Sequence, residues 1–174
     1  PYAATKAASD FLVSSFVNTY GISAAITRCS NNYGPNQFPE KLIPLMTLNA
    51  ISGDNLPIYG DGKQVRDWIH VSDHSRGIIA TMNGLSDGSI RSGEVINFGA
   101  GNELENIQIV ESIIRMTGAS RSQITHIEDR PGHDRRYSMG FNKAYERLGW
   151  QPEVGWEQGL VETIDWYKEN IEWV

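Results

Sequence analysis

Tyr2 and Lys6 stand four residues apart in a segment with helical character, so both side chains lie on one face of the helix. A lysine ammonium beside a phenol favours phenolate, and a tyrosine tuned this way can take a proton near neutral pH. That chemistry would serve a dehydrogenase that deprotonates a sugar hydroxyl. The spacing alone also fits a helix N-terminus with a solvated lysine, and Tyr59 and Lys63 repeat it inside a glycine-rich turn. A second cluster is Asp129-Arg-Pro-Gly-His-Asp-Arg-Arg136, with three arginines and a histidine in eight residues of an acidic chain. Planar guanidinium groups suit two-pronged recognition of phosphate oxygens. The alternative is a set of local Arg–Asp surface pairs of little energetic weight. A third candidate is Arg66-Asp67-Trp68, where Arg66 reaches a phosphate or simply pairs with Asp67.

Two other patterns imitate sites without their geometry. Gly99-Ala-Gly101 follows a strand and precedes a helix, as a dinucleotide fingerprint does, but Leu104 stands where the third glycine belongs. The helix also starts too late for that turn to set its N-terminus on a pyrophosphate, so the stretch reads as a turn. His70 and His74 are four apart but straddle a strand end and a helix start, and no cysteine or histidine cluster joins them. No metal site is expected.

The elements that must position these residues follow from periodicity and punctuation. Residues 2–20 read as a helix closed by Gly21, apolar almost all round its wheel and therefore buried on two sides, for example between a sheet and a partner subunit. Residues 22–29 read as a buried strand, and 30–39 as turn-rich and irregular. A helix is expected over 40–52, with Pro44 an internal complication. Strands over 57–59 and 64–71 flank Gly60-Asp61-Gly62 as a hairpin. Ser72 caps a helix to about residue 83; a strand follows over 94–98 and an amphipathic helix over 106–117. The expectation continues with a strand over 124–128, an irregular loop over 129–137, a helix from Asn142 to Leu148, and a last helix over 156–171. Helices alternating with short strands make the class α/β.

Composition limits the function classes. The chain has 174 residues, 40% hydrophobic and 21% charged, which is globular composition. A net charge of −6 argues against a nucleic-acid-binding face and against an anionic-membrane anchor. No apolar run reaches the roughly 18–20 residues that span a bilayer. The single cysteine, Cys29, fits a reducing compartment, so the expected location is cytoplasmic. The chain opens on Pro1, with no initiator Met and no signal peptide, and runs directly into a helix pattern; the expectation is a portion of a longer protein.

Together these pieces resemble one family. They are the opening Pro-Tyr-Ala-Ala-Thr-Lys-Ala-Ala, the loop Cys29-Ser-Asn-Asn-Tyr-Gly-Pro35 and the stretch Phe38-Pro-Glu-Lys-Leu-Ile-Pro-Leu45. Leu56-Pro-Ile-Tyr-Gly-Asp-Gly62 with Arg66-Asp67-Trp68, and Asp129-Arg-Pro-Gly-His-Asp-Arg-Arg-Tyr137, complete the set. The chain is similar throughout to the dTDP-glucose 4,6-dehydratase family of the extended short-chain dehydrogenase/reductase superfamily. Tyr-x-x-x-Lys and Asn-Tyr-Gly-Pro are shared by many nucleotide-sugar epimerases and dehydratases, whereas the Phe-Pro-Glu-Lys and Asp-Arg-Pro-Gly-His stretches are more specific.

The resemblance implies the end of a Rossmann NAD-binding domain over residues 1–35. Residues 36–174 would be mainly the small C-terminal nucleotide-sugar-binding domain, with some returning Rossmann elements. It implies NAD as cofactor, dTDP-glucose as substrate and a homodimer built on helix 2–20. Tyr2 would take the sugar C4 hydroxyl proton, Lys6 would hold the nicotinamide ribose, and Asn32 would lie near the nicotinamide end. Asn31, Lys41, Leu42, Pro57, Tyr59, Arg66, Asn97, Arg130, His133 and Tyr167 would line the dTDP-sugar site. The family's Gly-rich fingerprint and its Thr-Asp-Glu group have no counterpart in these residues, so the isolated chain is expected to bind without turnover. A related UDP- or CDP-sugar dehydratase or epimerase, or a binding module without chemistry, is the alternative.

Overall fold

The computed structural model describes residues 1–173. The chain runs through α1 (Tyr2–Tyr20), β1 (Ile26–Cys29), β2 (Asn31–Tyr33), α2 (Leu42–Ser52), β3 (Leu56–Tyr59), β4 (Val65–His70) and α3 (Val71–Asp87). It continues through β5 (Val95–Phe98), β6 (Glu103–Glu105), α4 (Asn106–Thr117), β7 (Ile124–Ile127), β8 (Arg136–Tyr137), α5 (Asn142–Leu148) and α6 (Trp156–Glu169). The class is α/β, as the alternation of elements indicates. β1 pairs in parallel with β5, and β3 in parallel with β7. β4 pairs in parallel with β2 and β8 and antiparallel with β6.

β4 separates two cores because alternate residues of a strand point to opposite faces. Trp68 enters a cluster with Ile43, Met46, Leu56, Ile58, Ile109, Ile113, Leu160 and Ile164, drawn from α2, β3, α4 and α6. Ile69 enters a second cluster with Ile90, Ile96, Phe98, Ala144 and Trp150. Each fully buried apolar side chain of this size contributes about 1.5–3 kcal/mol.

Several elements depart from expectation. The hairpin does not form: β3 and β4 pair with different strands. Gly60 and Gly62 both take positive φ, at 56° and 72°, and the carbonyls of Gly62 and Gln64 accept from the amides of Ile107 and Asn106 at the start of α4. The intervening turn is thus tied to a helix rather than to a neighbouring strand. Residues 30–39 are not wholly irregular, since β2 lies within them in register with Trp68 to His70. β1 starts only at Ile26. β6 and β8 are too short to leave a period in the sequence. α2 begins at Leu42, which places Pro44 in the first turn, where a backbone N–H has no helical partner to lose. His70 rather than Ser72 caps α3, accepting from the Ser72 amide, and the helix continues to Asp87. Phe141 precedes α5 in the cap position that Asn142 was expected to hold, and α6 ends at Glu169.

The largest departure is α1. It was expected to be covered on two sides, yet it carries no buried residue. Phe11 is 75% exposed, Leu12 61% and Phe16 50%. Its tie to the sheet is the Asp10–Arg28 ion pair. The cover for its apolar residues is not among the described residues.

Candidate functional site

The diverging strands β3 and β4 leave a cavity of about 470 Å³ between them. One wall comes from β2 and the loop after it, through Asn31, Asn32, Gln37, Glu40 and Lys41. The first turns of α2 supply Leu42, Leu45 and Met46, which share a helical face. Pro57, Ile58 and Tyr59 of β3 and Arg66 and Trp68 of β4 also line it, and Asn106, Ile127, Arg130 and His133 complete the lining. The cavity is therefore part apolar slot, part cationic pocket, with polar groups at few points, as small-molecule sites are.

The charge distribution resolves the arginine loop. Arg135 pairs with Asp61 at 2.9 Å, and Arg136 makes a two-pronged pair with Glu103 at 2.7 Å. Those two are structural. Arg130 and Arg66 have no carboxylate within ion-pair distance among the described residues, and both border the cavity. The Arg130 guanidinium lies 5.1 Å from the Tyr59 ring centroid, a cation–π arrangement. Its Nη2 lies 3.0 Å from His133 Nε2, and His133 Nδ1 lies 2.7 Å from Asp129 Oδ1. Arginine only donates, so His133 Nε2 accepts and the ring proton sits on Nδ1, donated to Asp129. The His133 hydrogen bond is the main reason the Asp129 carboxyl is held below the usual carboxylate range, with Gln64 and the Arg130 amide also donating to it. Burial pushes Arg66 below the usual guanidinium value, and the Arg130 charge adds to this while Asp134 opposes it. Two guanidinium groups that repel one another across one cavity wall form a place for an anion.

Arg66 and Asp67 do not pair. Asp67 points the other way and accepts from the amides of Ala100 at 3.1 Å and Asn102 at 2.9 Å, holding β4 to the turn after β5. That turn packs so closely that a Cβ on Gly99 would lie 1.7 Å from the Met139 carbonyl.

Nine of the expected residues border this cavity: Asn31, Asn32, Lys41, Leu42, Pro57, Tyr59, Arg66, Arg130 and His133. Four do not. Tyr167 is fully buried on α6, and its hydroxyl donates to the Gln37 carbonyl, one layer behind the wall; burial pushes that phenol up to about 12. Asn97 sits on β5 opposite Arg28, in the sheet that carries α1, because its register belongs to β1. Tyr2 and Lys6 lie on the exposed face of α1, Tyr2 being 78% exposed. The Lys6 charge acts on the Cys29 thiol, which burial pushes up and the Asn32 amide, 3.1 Å away, pulls down. Burial pushes up Tyr137, whose hydroxyl donates to the Cys29 carbonyl, and Cys29 and Tyr2 add to this. Trp68, part of the Arg66-Asp67-Trp68 candidate, also borders the cavity, as do Gln37, Glu40 and Asn106, which were not singled out. Glu40, which pairs with Lys41 at 2.5 Å, lies within the Phe-Pro-Glu-Lys stretch and was findable there. A second cavity, about 530 Å³ between the end of α1 and residues 91–94, is lined by arginines that Glu94 already engages.

The family model described as GDP-mannose 4,6 dehydratase matches residues 1–163. The chain belongs to the GDP-mannose 4,6 dehydratase family. Within it, the chain is 49% identical over 183 aligned positions to the dTDP-glucose 4,6-dehydratase of Xanthomonas campestris pv. campestris, covering 100% of this chain and 51% of that protein. It is similar to the solved dTDP-glucose 4,6-dehydratase of Streptomyces venezuelae, with a TM-score of 0.94 and 45% identity over 99% of this chain and 52% of that one. The Bacillus anthracis dTDP-glucose 4,6-dehydratase gives a TM-score of 0.90 at 47% identity, over 99% of this chain and 53% of that one. Both structures were solved with NAD bound. The chain spans about half the length of the curated relatives it matches. Among the described residues, no helix is long and apolar enough to cross a membrane.

Proposed function

We propose that this chain is the nucleotide-sugar-binding half of an NAD-dependent dTDP-glucose 4,6-dehydratase, a cytoplasmic homodimer, and that α1 supplies its proton-accepting phenol. The observation that carries this reading is the pair of arginines with no ion pair among the described residues, Arg66 and Arg130, on a cavity that Leu42, Leu45, Met46 and Pro57 also line. Such a cavity takes a diphosphate at one end and a flat apolar ring at the other. Leu42, Leu45 and Pro57 offer apolar surface for that ring, while Tyr59 lies at the cationic end against Arg130. The names of the relatives support dTDP as the nucleotide. In this reading the β1–β5 sheet with α1 belongs to the cofactor domain, and the core around α2, α4 and α6 to the sugar-nucleotide domain.

The residues fit the nicotinamide cofactor. Tyr2 is open, and Lys6 has no carboxylate within ion-pair distance among the described residues, so both can meet ribose hydroxyls. NAD, when bound, would supply the redox chemistry by which the sugar is oxidised at C4 and reduced again at C6. Tyr2 takes the proton from the C4 hydroxyl as that carbon is oxidised. Lys6 holds the ribose. Arg66 and Arg130 fix the diphosphate and so place the sugar at the phenol, converting binding energy into orientation.

The intact polypeptide that carries this chain should convert dTDP-glucose to the 4-keto-6-deoxy sugar, read by its absorbance in base. UDP-glucose and GDP-mannose serve as comparison substrates. Faster conversion of either comparison substrate would assign the base differently, and no conversion of any would leave a binding module.

A further inference from the structure

Asn32 is held unusually firmly for a cavity residue. Its amide nitrogen lies 3.1 Å from the Ser30 carbonyl and 3.1 Å from Cys29 Sγ. Its Oδ1 lies 2.9 Å from Nδ1 of His74, which α3 brings across from the other side of β2. Gln37 Nε2 donates to the Asn32 carbonyl at 2.9 Å, and the backbone is in register with Ile69 of β4.

These contacts fix a proton. The Ser30 carbonyl only accepts, so Asn32 must present its nitrogen there; the flipped amide would set two oxygens against each other. Oδ1 therefore faces His74 and can only accept, and the His74 ring must carry hydrogen on Nδ1. Burial holds the imidazole below its ordinary value, which favours the neutral ring with that one N–H. The ring is half-buried, 6.1 Å from the Phe98 ring centroid, and does not border the cavity. Asn32 does border it, and through Cys29 it adjoins the side where the Lys6 charge is felt. His74 thus orients a residue that borders the cavity.

We propose that His74 is a positioning residue whose Nδ1–H orients the Asn32 amide and thereby shapes the part of the site that receives the nicotinamide end of the cofactor. This rests on the functional reading above. It goes beyond that reading by assigning a role, and a single tautomer, to a histidine outside the cavity.

The test uses the intact protein, His74→Phe, which keeps a ring against Phe98 but has no N–H, and His74→Asn, whose amide places a donor near the same point. NAD affinity, dTDP affinity and thermal stability are measured for each. Loss of one neutral hydrogen bond should weaken NAD binding about 3- to 10-fold in His74→Phe, leave dTDP affinity within about twofold, and be largely recovered in His74→Asn. NAD affinity unchanged in His74→Phe, or equal losses for NAD and dTDP in both variants, would overturn the assignment. Nitrogen NMR of the histidine-labelled parent gives a reading that needs no variant: Nδ1 is expected to be protonated and Nε2 bare, and the opposite tautomer overturns the inference. A parent that binds no NAD refutes the functional reading itself, whereas a parent that binds NAD beside an indifferent His74→Phe refutes this inference alone.

Discussion

Replacing Arg130 by alanine in the intact protein isolates the cationic end of the cavity. Arg130 has no acidic partner among the described residues, so its removal strands no carboxylate. It lies against the Tyr59 ring and donates to His133, contacts available with or without a ligand. What binding adds is charge-assisted hydrogen bonds to phosphate oxygens, worth about 1.5–3 kcal/mol. Affinity for dTDP should therefore fall roughly 10- to 150-fold. Arg130→Lys should recover only part of this, since an ammonium cannot make the two-pronged contact. Arg135→Ala is the internal control: Arg135 is one turn of loop away but already engaged by Asp61, so dTDP affinity should change by less than about twofold. Thymidine, which carries no phosphate, should bind the parent and Arg130→Ala alike. Calorimetric titration with dTDP and thymidine reads all four statements. If Arg130→Ala shifts dTDP affinity less than about twofold, or if Arg135→Ala shifts it as much, the assignment of the anion site to unpaired guanidinium groups is wrong.

Three further outcomes follow from other parts of the molecule. A charge placed on α1 as Ala8→Glu should turn a dimer of the intact protein into monomers by light scattering, because an apolar helix with no buried residue needs a cover; an unchanged dimer would mean that α1 is covered from within the polypeptide. Gly99→Ala should lower the thermal midpoint strongly, since its methyl would meet the Met139 carbonyl at 1.7 Å and overpacking costs about 1–3 kcal/mol or more; a shift below a degree would contradict that approach. Glu94 is held at about 2, chiefly by the hydrogen bond from Lys143, so its folded-state value is depressed and its contribution is present above the usual carboxylate value and lost as pH falls toward 2. Glu94→Gln should flatten the acid side of the stability curve over that window, and an identical curve would show that the pairing contributes nothing.

Helices were the legible part of this chain. α4 reads from its amphipathic period and its glycine stop, and α1 from a stretch that no Gly or Pro interrupts before Gly21. Strands of two or three residues, such as β2, β6 and β8, carry no period and could not be read. The arginine loop shows the limit for the site. Type and spacing marked all three arginines alike, and what divides them is the location of their partners: Asp61 is 74 positions from Arg135, and Glu103 is 33 from Arg136. Local sequence contains no record of such distances.

The failed hairpin and the cavity are one fact. A turn over residues 60–64 would set Ile58 beside Arg66 on neighbouring strands, about 4.8 Å apart, with no room between them. Instead β3 takes β7 as its neighbour and β4 takes β2, β6 and β8. Tyr59 and Arg66 then both line the space left between the unpaired strands, and the loop after β7 adds Arg130 and His133 to its lining. The same glycines that suggested a tight turn let the chain cross from one sheet to the other, their positive φ values serving a turn that the start of α4 holds through two backbone hydrogen bonds. Pairing between strands distant in sequence thus converts two adjacent motifs into the two sides of a binding site.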